Sequence, residues 1–444
     1  LKGTVEHAFY LGQRPLYFGS DMSPALLAVG YIVGLGIACQ IFLGGVIGWL
    51  ITIPIAGPIY PLDEGTVAID RAWALWDTQV RYLGVGTMLV GGLFSIWNVR
   101  GGLVAGIQSL KKASGDGGDD VVRTEQNMSF RSLSLIFAFA VIGTFVLYEG
   151  LIGSHLLALV AVLVMIPASF LFAAVATYIV GLVGSSNSPV SGMTICAVLL
   201  AAIIIGLTGG TGSGAILATL GVAGVVCCVA CTAGDVAQDL KTGQLVGATP
   251  RRQQWAEILG VIVPALIMAP VMTLLHSTYT IGSKELLAPQ ATLFASLAEG
   301  FFGEGTLPYP MIGAGIAVGV IIVVIDSILG IKQSAFRLHV MPIAVGIYLP
   351  LALSVPIILG GLRHAWLNRK KSTDNQDGLL FGSGLIAGEA LMGIGLAIPA
   401  TFGIKLALDT SFMASWVQSL TTVFIFGGVF VTYLMVARTK KSNA

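Results

Sequence analysis

Residues 24–57 run for 34 positions without a single Asp, Glu, Lys or Arg. As one helix rising 1.5 Å per residue, that stretch would be roughly 50 Å long, against a bilayer hydrocarbon core of about 30 Å. A single straight crossing cannot hold it, so the segment is expected to tilt, to break at Gly44-Gly45 or to re-enter. Further apolar runs lie near 82–98, 132–150, 155–183, 193–208, 215–233, 256–275, 309–329, 338–362, 379–403 and 414–437, with a shorter one near 289–303. Backbone polar groups in lipid must be satisfied within the segment itself, and apolar runs of this length do that as helices. The expected fold is therefore all-α, a polytopic membrane protein with about 11 or 12 transmembrane helices, broken or re-entrant segments and internal repeats.

Only 10% of the 444 residues are charged, against about a quarter in soluble domains, which excludes an ordinary soluble enzyme. The formal net charge of +1 and the lack of a basic, aromatic-interleaved run exclude nucleic acid as a partner. Gly, at 58 residues, suits closely packed membrane helices. Cys39, Cys196, Cys227, Cys228 and Cys231 all sit in apolar stretches, so no disulfide framework is indicated. Cys227 and Cys231 are one helical turn apart but lack a nearby His, and small apolar packing is the expected role rather than a metal site. No cofactor is implied.

Lys and Arg concentrate in 99–131, 234–255, 363–378 and the tail after 437. Cytoplasmic loops retain basic residues, and all four stretches share that side if the short run near 289–303 crosses as a half-helix. The alternative is that this run stays on the outer surface. The segment divides as a polar stretch 1–23, first membrane helices in 24–112, a flexible linker in 113–130, a main bundle in 131–437 and a cytoplasmic tail in 438–444.

Tyr31-Ile32-Val33-Gly34-Leu35 recurs as Tyr178-Ile179-Val180-Gly181-Leu182. Paired Gly- or Pro-interrupted apolar segments point to the midplane site of a secondary transporter. The second copy runs into Gly184 to Thr194, where Pro189 disfavours helix at Ser188. Asn187, Ser188, Ser191 and Thr194 offer a neutral hydrogen-bonding lining for a peptide backbone or a carboxylate, unless this is an ordinary turn. The pairs Gly30/Gly34, Gly44/Gly48, Gly206/Gly210, Gly315/Gly319 and Gly384/Gly388 read as helix-packing contacts.

Three stretches carry a family resemblance: 15–24 (Pro-Leu-Tyr-Phe-Gly-Ser-Asp-Met-Ser-Pro) leading into 29–34, then 184–195, then 233–243 (Ala-Gly-Asp-Val-Ala-Gln-Asp-Leu-Lys-Thr-Gly) with 248–254. Together they resemble the bacterial branch of the oligopeptide transporter (OPT) family, over most of the chain. The resemblance implies an all-helical secondary transporter coupled to protons, moving small peptides or, in the yellow stripe-like branch, metal-chelate complexes, in a bacterial cytoplasmic membrane. It also implies further spans before the stretch that begins here. The partners expected are therefore substrate, protons and the lipid bilayer, with a homo-oligomer left open.

A charge at bilayer depth is costly, so each one there is a functional candidate. Glu389 sits mid-span, where a carboxyl should titrate nearer neutrality, and is a candidate for both substrate binding and proton coupling; the alternative is a carboxyl fixed by a structural hydrogen bond. Tyr31 is a substrate-binding candidate. Glu149 and His155 bracket a tight connection as a proton relay or a water-facing pair. Asp326 and His339 read as end groups of their spans. Asp235, Gln238 and Asp239 share a helical face, with Lys241 close behind, as a cytoplasmic gate or as a helix end capped by Asp235. An intramembrane enzyme is disfavoured by the absence of His-Glu-x-x-His and Gly-x-Ser-x-Gly patterns, and a channel by the many spans with an internal echo.

Overall fold

The computed structural model describes residues 3–60, 66–94, 97, 122–183, 190–283, 286–303, 308–334, 336–368, 376–401, 404 and 415–436. They form one short hairpin and otherwise helices. Among the described residues seven helices are long and apolar enough to cross a membrane, and the shorter apolar helices Gly192–Leu207, Leu351–Trp366 and Leu420–Tyr433 accompany them. The chain is a multi-pass all-α membrane protein. It divides into two compact units, one of residues 1–91, 271–289 and 308–444, the other of 92–270 and 290–307.

In the first unit, residues 1–23 are more than a polar lead. Strands β1 (Thr4–Leu11) and β2 (Arg14–Asp21) pair antiparallel with Leu11 opposite Arg14. Gly12 takes the positive φ of 65° that so short a turn demands. Alternation along β2 turns Pro15 and Tyr17 inward, and Tyr17 packs fully buried on the Trp49 ring at 4.5 Å.

Helix α1 (Pro24–Gly45) begins the long apolar stretch, which continues as a wider π turn through Val46–Thr52 into α2 (Ile53–Ile59). Its break lies at Gly34 (φ 77°, ψ 170°), ten residues before the expected Gly44-Gly45, where only the helical winding changes. Gly44 and Gly48 instead let α12 (Val340–Tyr348) approach, since an added Cβ would strike the Ile343 and Ile347 carbonyls. After α3 (Ala68–Leu75), a π turn at Trp76–Val80 leads to α4 (81–94), where Gly315 and Gly319 of α11 (Tyr309–Ile331) pack on Leu83 and Val90.

The expected single span 338–362 is two helices, α12 and α13 (Leu351–Asn368). Pro350 has no N–H to continue the ladder and pushes Leu349 to ψ 148°. The two carbonyls so released are recovered by indoles: Trp76 Nε1 donates to Tyr348 O at 2.8 Å and Trp49 Nε1 to Leu349 O at 3.1 Å. Helix α13 lies against α1 through glycines on both, Gly30 beneath the Ile357 carbonyl and Gly360 beneath that of Leu27. Asp326 and His339 are end groups, as expected: Asp326 grips Arg337 with Nε–Oδ1 at 2.7 Å and Nη2–Oδ2 at 2.8 Å. Helices α14 (Gln376–Thr401) and α15 (Ser415–Val436) complete this unit, and the expected packing face Gly384/Gly388 on α14 meets nothing within 4 Å.

The second unit holds α5 (Phe130–Ile152), α6 (His155–Val183), α7 (Val190–Leu207), α8 (Gly212–Val246), α10 (Pro289–Phe302) and most of α9 (Pro250–Tyr279). Small residues such as Ala158, Ala161, Ala215 and Ala218 form its core between α6 and α8. Gly206 meets Phe302 of α10 at 3.6 Å, and Gly210, in the turn after α7, would bring a Cβ to 3.0 Å from Leu157 of α6, so the two glycines meet different helices. Helix α10 has 14 residues, about 21 Å of helix, shorter than a bilayer core of about 30 Å. The expected loop 234–255 is mostly helix, because α8 continues to Val246 and α9 starts at Pro250. Around that tight corner Arg123 donates to Thr249 Oγ1 and Gly247 O, both at 2.9 Å, and Met128 N to Gln254 Oε1 at 2.8 Å. Two basic stretches thus meet at one end of the unit. Of the expected linker 113–130, residues 113–121 lie outside the described residues, while 122–130 hold the turn Arg123–Glu125 and the contacts to that corner.

Candidate functional site

Glu389 of α14 reaches the start of α1. Ser23 Oγ donates to Glu389 Oε1 at 2.6 Å, and the amide of Ala25 donates to Oε2 at 2.9 Å. Ser23 is the N-cap of α1, its Oγ accepting from Leu26 N at 3.1 Å, with Pro24 next in the first turn. The helix thus presents its unsatisfied amides and positive dipole end to a carboxylate. A second carboxyl closes the group from the hairpin side: Asp21 Oδ1 accepts from Ser23 N at 2.8 Å and Oδ2 from Thr4 Oγ1 at 3.1 Å. Burial, helped by the nearby Glu389 charge, holds the Asp21 carboxyl above its ordinary range despite the hydrogen bonds from Thr4 and Ser23.

Two turns along α1, Tyr31 is 3% exposed. Its ring meets the edge of His364 at 5.3 Å and of Tyr433 at 5.0 Å. Gly34 follows at once, with torsions that interrupt the helical ladder and oblige the carbonyls before it and amides after it to find other partners. A Cβ built on Gly34 would meet only the His364 ring, at 3.8 Å. Arg363, counted from sequence among the basic loop residues, lies instead inside α13, 4% exposed and stacked over the Trp366 ring at 4.6 Å. α1, α13, α14 and α15 therefore gather an aromatic pair, a buried cation, an imidazole and a broken turn into one region of the first unit.

The remaining sequence candidates lie in the second unit. Thr194 is buried near the start of α7, where its hydroxyl donates to Val190 O at 2.9 Å, a bond within its own helix. Ser191 lies in the same turn, while Asn187 and Ser188 fall outside the described residues. Glu149 and His155 do meet, Nδ1 to Oε1 at 2.9 Å across the turn at left-handed Gly153, with the imidazole 82% exposed. Asp235, Gln238, Asp239 and Lys241 all lie on the exposed side of α8. Because α8 continues through them, Asp235 caps no helix. Lys241 Nζ bonds Gln244 Oε1 at 2.8 Å, and among the described residues no ion pair joins these four.

Sequence reasoning missed Asp21, Ser23 and Arg363. Ser23-Pro24 before an apolar run is an N-cap signature and was legible. Arg363 stood at the end of a hydrophobic run and looked like a flanking charge; nothing local distinguishes a buried arginine from a snorkelling one.

Comparison with known proteins agrees with this architecture. A Haemophilus influenzae protein named "Putative oligopeptide transporter" is 32% identical over 425 residues, covering 87% of this chain and 67% of its own length. A rice protein named "Probable metal-nicotianamine transporter" is 24% identical over 92% of this chain and 59% of its own length. A Saccharomyces cerevisiae "Putative oligopeptide transporter" is 24% identical over 84% and 57%. The chain thus spans about two thirds or less of these relatives. The family model for the OPT oligopeptide transporter protein matches residues 2–400, and these relatives are named as transporters rather than enzymes. The chain belongs to the OPT oligopeptide transporter family.

Proposed function

We propose that this chain carries the transport path of a proton-coupled symporter that imports small peptides across a bacterial cytoplasmic membrane. The observation that carries the reading is the hold of Glu389 on the first turn of a helix that breaks eleven residues later. As a carboxylate, Glu389 accepts from both Ser23 and Ala25. Protonated, one oxygen becomes a donor and the helix end loses an acceptor, so a proton loosens α1 at its start. The break at Gly34 gives that loosened segment a hinge, and in this reading Tyr31, buried beside it, meets the solute when the hinge opens.

In this reading Ser191 and Thr194, at the start of α7, contribute to solute binding, as do Asn187 and Ser188 before them. The Glu149–His155 pair receives protons at the surface. Asp235, Gln238, Asp239 and Lys241 exchange partners as a cytoplasmic gate. Metal-chelate import is the second reading, favoured by the names of the rice relatives.

Uptake into proteoliposomes tests the proposal. An imposed inward proton gradient should drive saturable accumulation of a small peptide such as trialanine, with nickel–nicotianamine as the comparison solute. Flux indifferent to the proton gradient would end the coupled reading, and ohmic conductance would make the protein a channel.

A further inference from the structure

Asp21 is the carboxyl that a proton cycle on Glu389 leaves unused. It ends β2 half-buried, whereas Glu389 stands exposed on α14, and the two meet on one residue. Ser23 donates its amide to Asp21 Oδ1 at 2.8 Å and its hydroxyl to Glu389 Oε1 at 2.6 Å. The other titratable groups at this corner are acidic as well: Tyr17 on β2, on which the Asp21 charge acts, and Glu6 on β1, which accepts from the Tyr17 hydroxyl at 2.8 Å. Among the described residues no ion pair reaches Asp21 or Glu389. Two carboxyls gathered on one serine without a cation resist ionising together, so the pair gives up its protons in two separated steps.

The two carboxyls differ in what a proton does to them. Asp21 Oδ2 accepts from the Thr4 hydroxyl at 3.1 Å, and a hydroxyl can equally accept. A proton on Oδ2 therefore reverses that bond and leaves the Ser23 amide on Oδ1. Glu389 accepts from the Ala25 amide, which cannot reverse, and from a hydroxyl already occupied in capping α1. A proton is thus housed on Asp21 with the helix start intact, and on Glu389 only as that start gives way. Burial, and after it the Glu389 charge, hold the Asp21 carboxyl above its ordinary range, in keeping with this order. We propose that Asp21 is a second proton-carrying residue of the transport cycle: it holds the coupling proton while Glu389 grips the first turn of α1, and gives it to Glu389 as that turn loosens. The proton leaves Asp21 Oδ2 for a Glu389 oxygen, Asp21 takes over the negative charge, and the pair carries one charge before and after. The inference rests on the transport reading above.

Infrared difference spectra of the full chain in detergent follow the protonated-carboxyl C=O band as pH rises, in wild type, Asp21→Asn and Glu389→Gln. Uptake of trialanine or nickel–nicotianamine, whichever wild type accumulates, is measured in proteoliposomes across the same pH range. Asp21→Asn should abolish one component of the band. Glu389→Gln, which removes the neighbouring charge, should move the loss of that component to the acid side by about one pH unit or more. Uptake by Asp21→Asn should shift its pH midpoint by a similar amount, and Asp21→Glu should restore it; an Asp21 that only braces the hairpin would change the rate and leave the midpoint. No component lost in Asp21→Asn, the same midpoint in Glu389→Gln as in wild type, or an unchanged uptake profile in Asp21→Asn overturns the shared proton and leaves transport standing. Should Asp21→Asn not be recovered folded, the Glu389→Gln spectrum decides alone. Wild-type uptake that ignores the proton gradient overturns the coupled reading and this inference with it.

Discussion

Ser23 Oγ stands 2.6 Å from Glu389 Oε1, joining the first turn of α1 to the middle of α14 across 366 residues of sequence. The same serine hydroxyl accepts from Leu26 N, and its amide donates to Asp21, so one side chain caps a helix while its backbone and hydroxyl tie two carboxyls together. Any proton arriving at Glu389 is therefore felt at the start of the broken helix.

Glu389→Gln removes the charge and keeps the shape. Gradient-driven uptake should fall at least about tenfold, while solute exchange at equal pH on both sides should persist, since exchange needs no net proton movement. Proteoliposome assays in the two modes separate the outcomes, and unchanged gradient-driven uptake would take Glu389 out of the mechanism.

Asp21 gives a pH dependence of defined sign. Its carboxyl is held above the ordinary range, chiefly by burial, so the folded protein binds its proton more tightly than the unfolded chain does. The stability this contributes is full below about pH 4 and is lost as pH rises through the raised value. Asp21→Asn keeps an acceptor for the Ser23 amide and should flatten that fall, leaving the variant at least as stable as wild type at pH 7. Melting temperatures between pH 4 and 7 provide the check; a variant that loses stability most at neutral pH would contradict it.

Gly34 has φ 77° and ψ 170°, a conformation nearly closed to residues with a Cβ. Space is not the obstacle, since His364 at 3.8 Å is the nearest contact. Gly34→Ala should therefore cost about 1 to 3 kcal/mol through backbone strain alone and depress uptake more than it lowers yield. A fully stable, fully active Gly34→Ala protein would show that α1 works without its break.

The sequence carried the spans because apolar runs of bilayer length leave few other folds, and it carried the shortness of α10, which runs through Glu299 and stops before Gly303. It also marked Tyr31–Leu35 as special. It could not place the break, since Gly34 and Gly44-Gly45 are equally permissive and only the approach of α12 assigns Gly44 to packing. The split at Pro350 was legible but was masked by continuous hydrophobicity on both sides. Glu389 announced itself as a costly charge, whereas its partners, more than 360 residues away, emerge only when α14 is laid against α1.

Gln40 sets the last expectation. It is 3% exposed on α1 below the break, its Nε2 donating to Arg337 O at 3.0 Å and its Oε1 accepting from His339 N at 2.7 Å. Asp326 holds the same loop through Arg337 and Leu338 N, but the Arg337 side chain is 46% exposed. A half-exposed ion pair, even a forked one, couples by about 1 kcal/mol or less, whereas each backbone group orphaned in a buried site costs about 1 to 3 kcal/mol. Gln40→Leu fills the same volume and orphans two such groups, so it should destabilise the protein more than the whole Asp326–Arg337 coupling measured by a double-mutant cycle. Because the loop leads directly into α12, against which Gly44 and Gly48 pack, the loss should also loosen α1 below its break. Denaturant unfolding of the three single variants and the double variant tests the order, and an ion-pair coupling larger than the Gln40→Leu cost would reverse the assignment of what holds the loop.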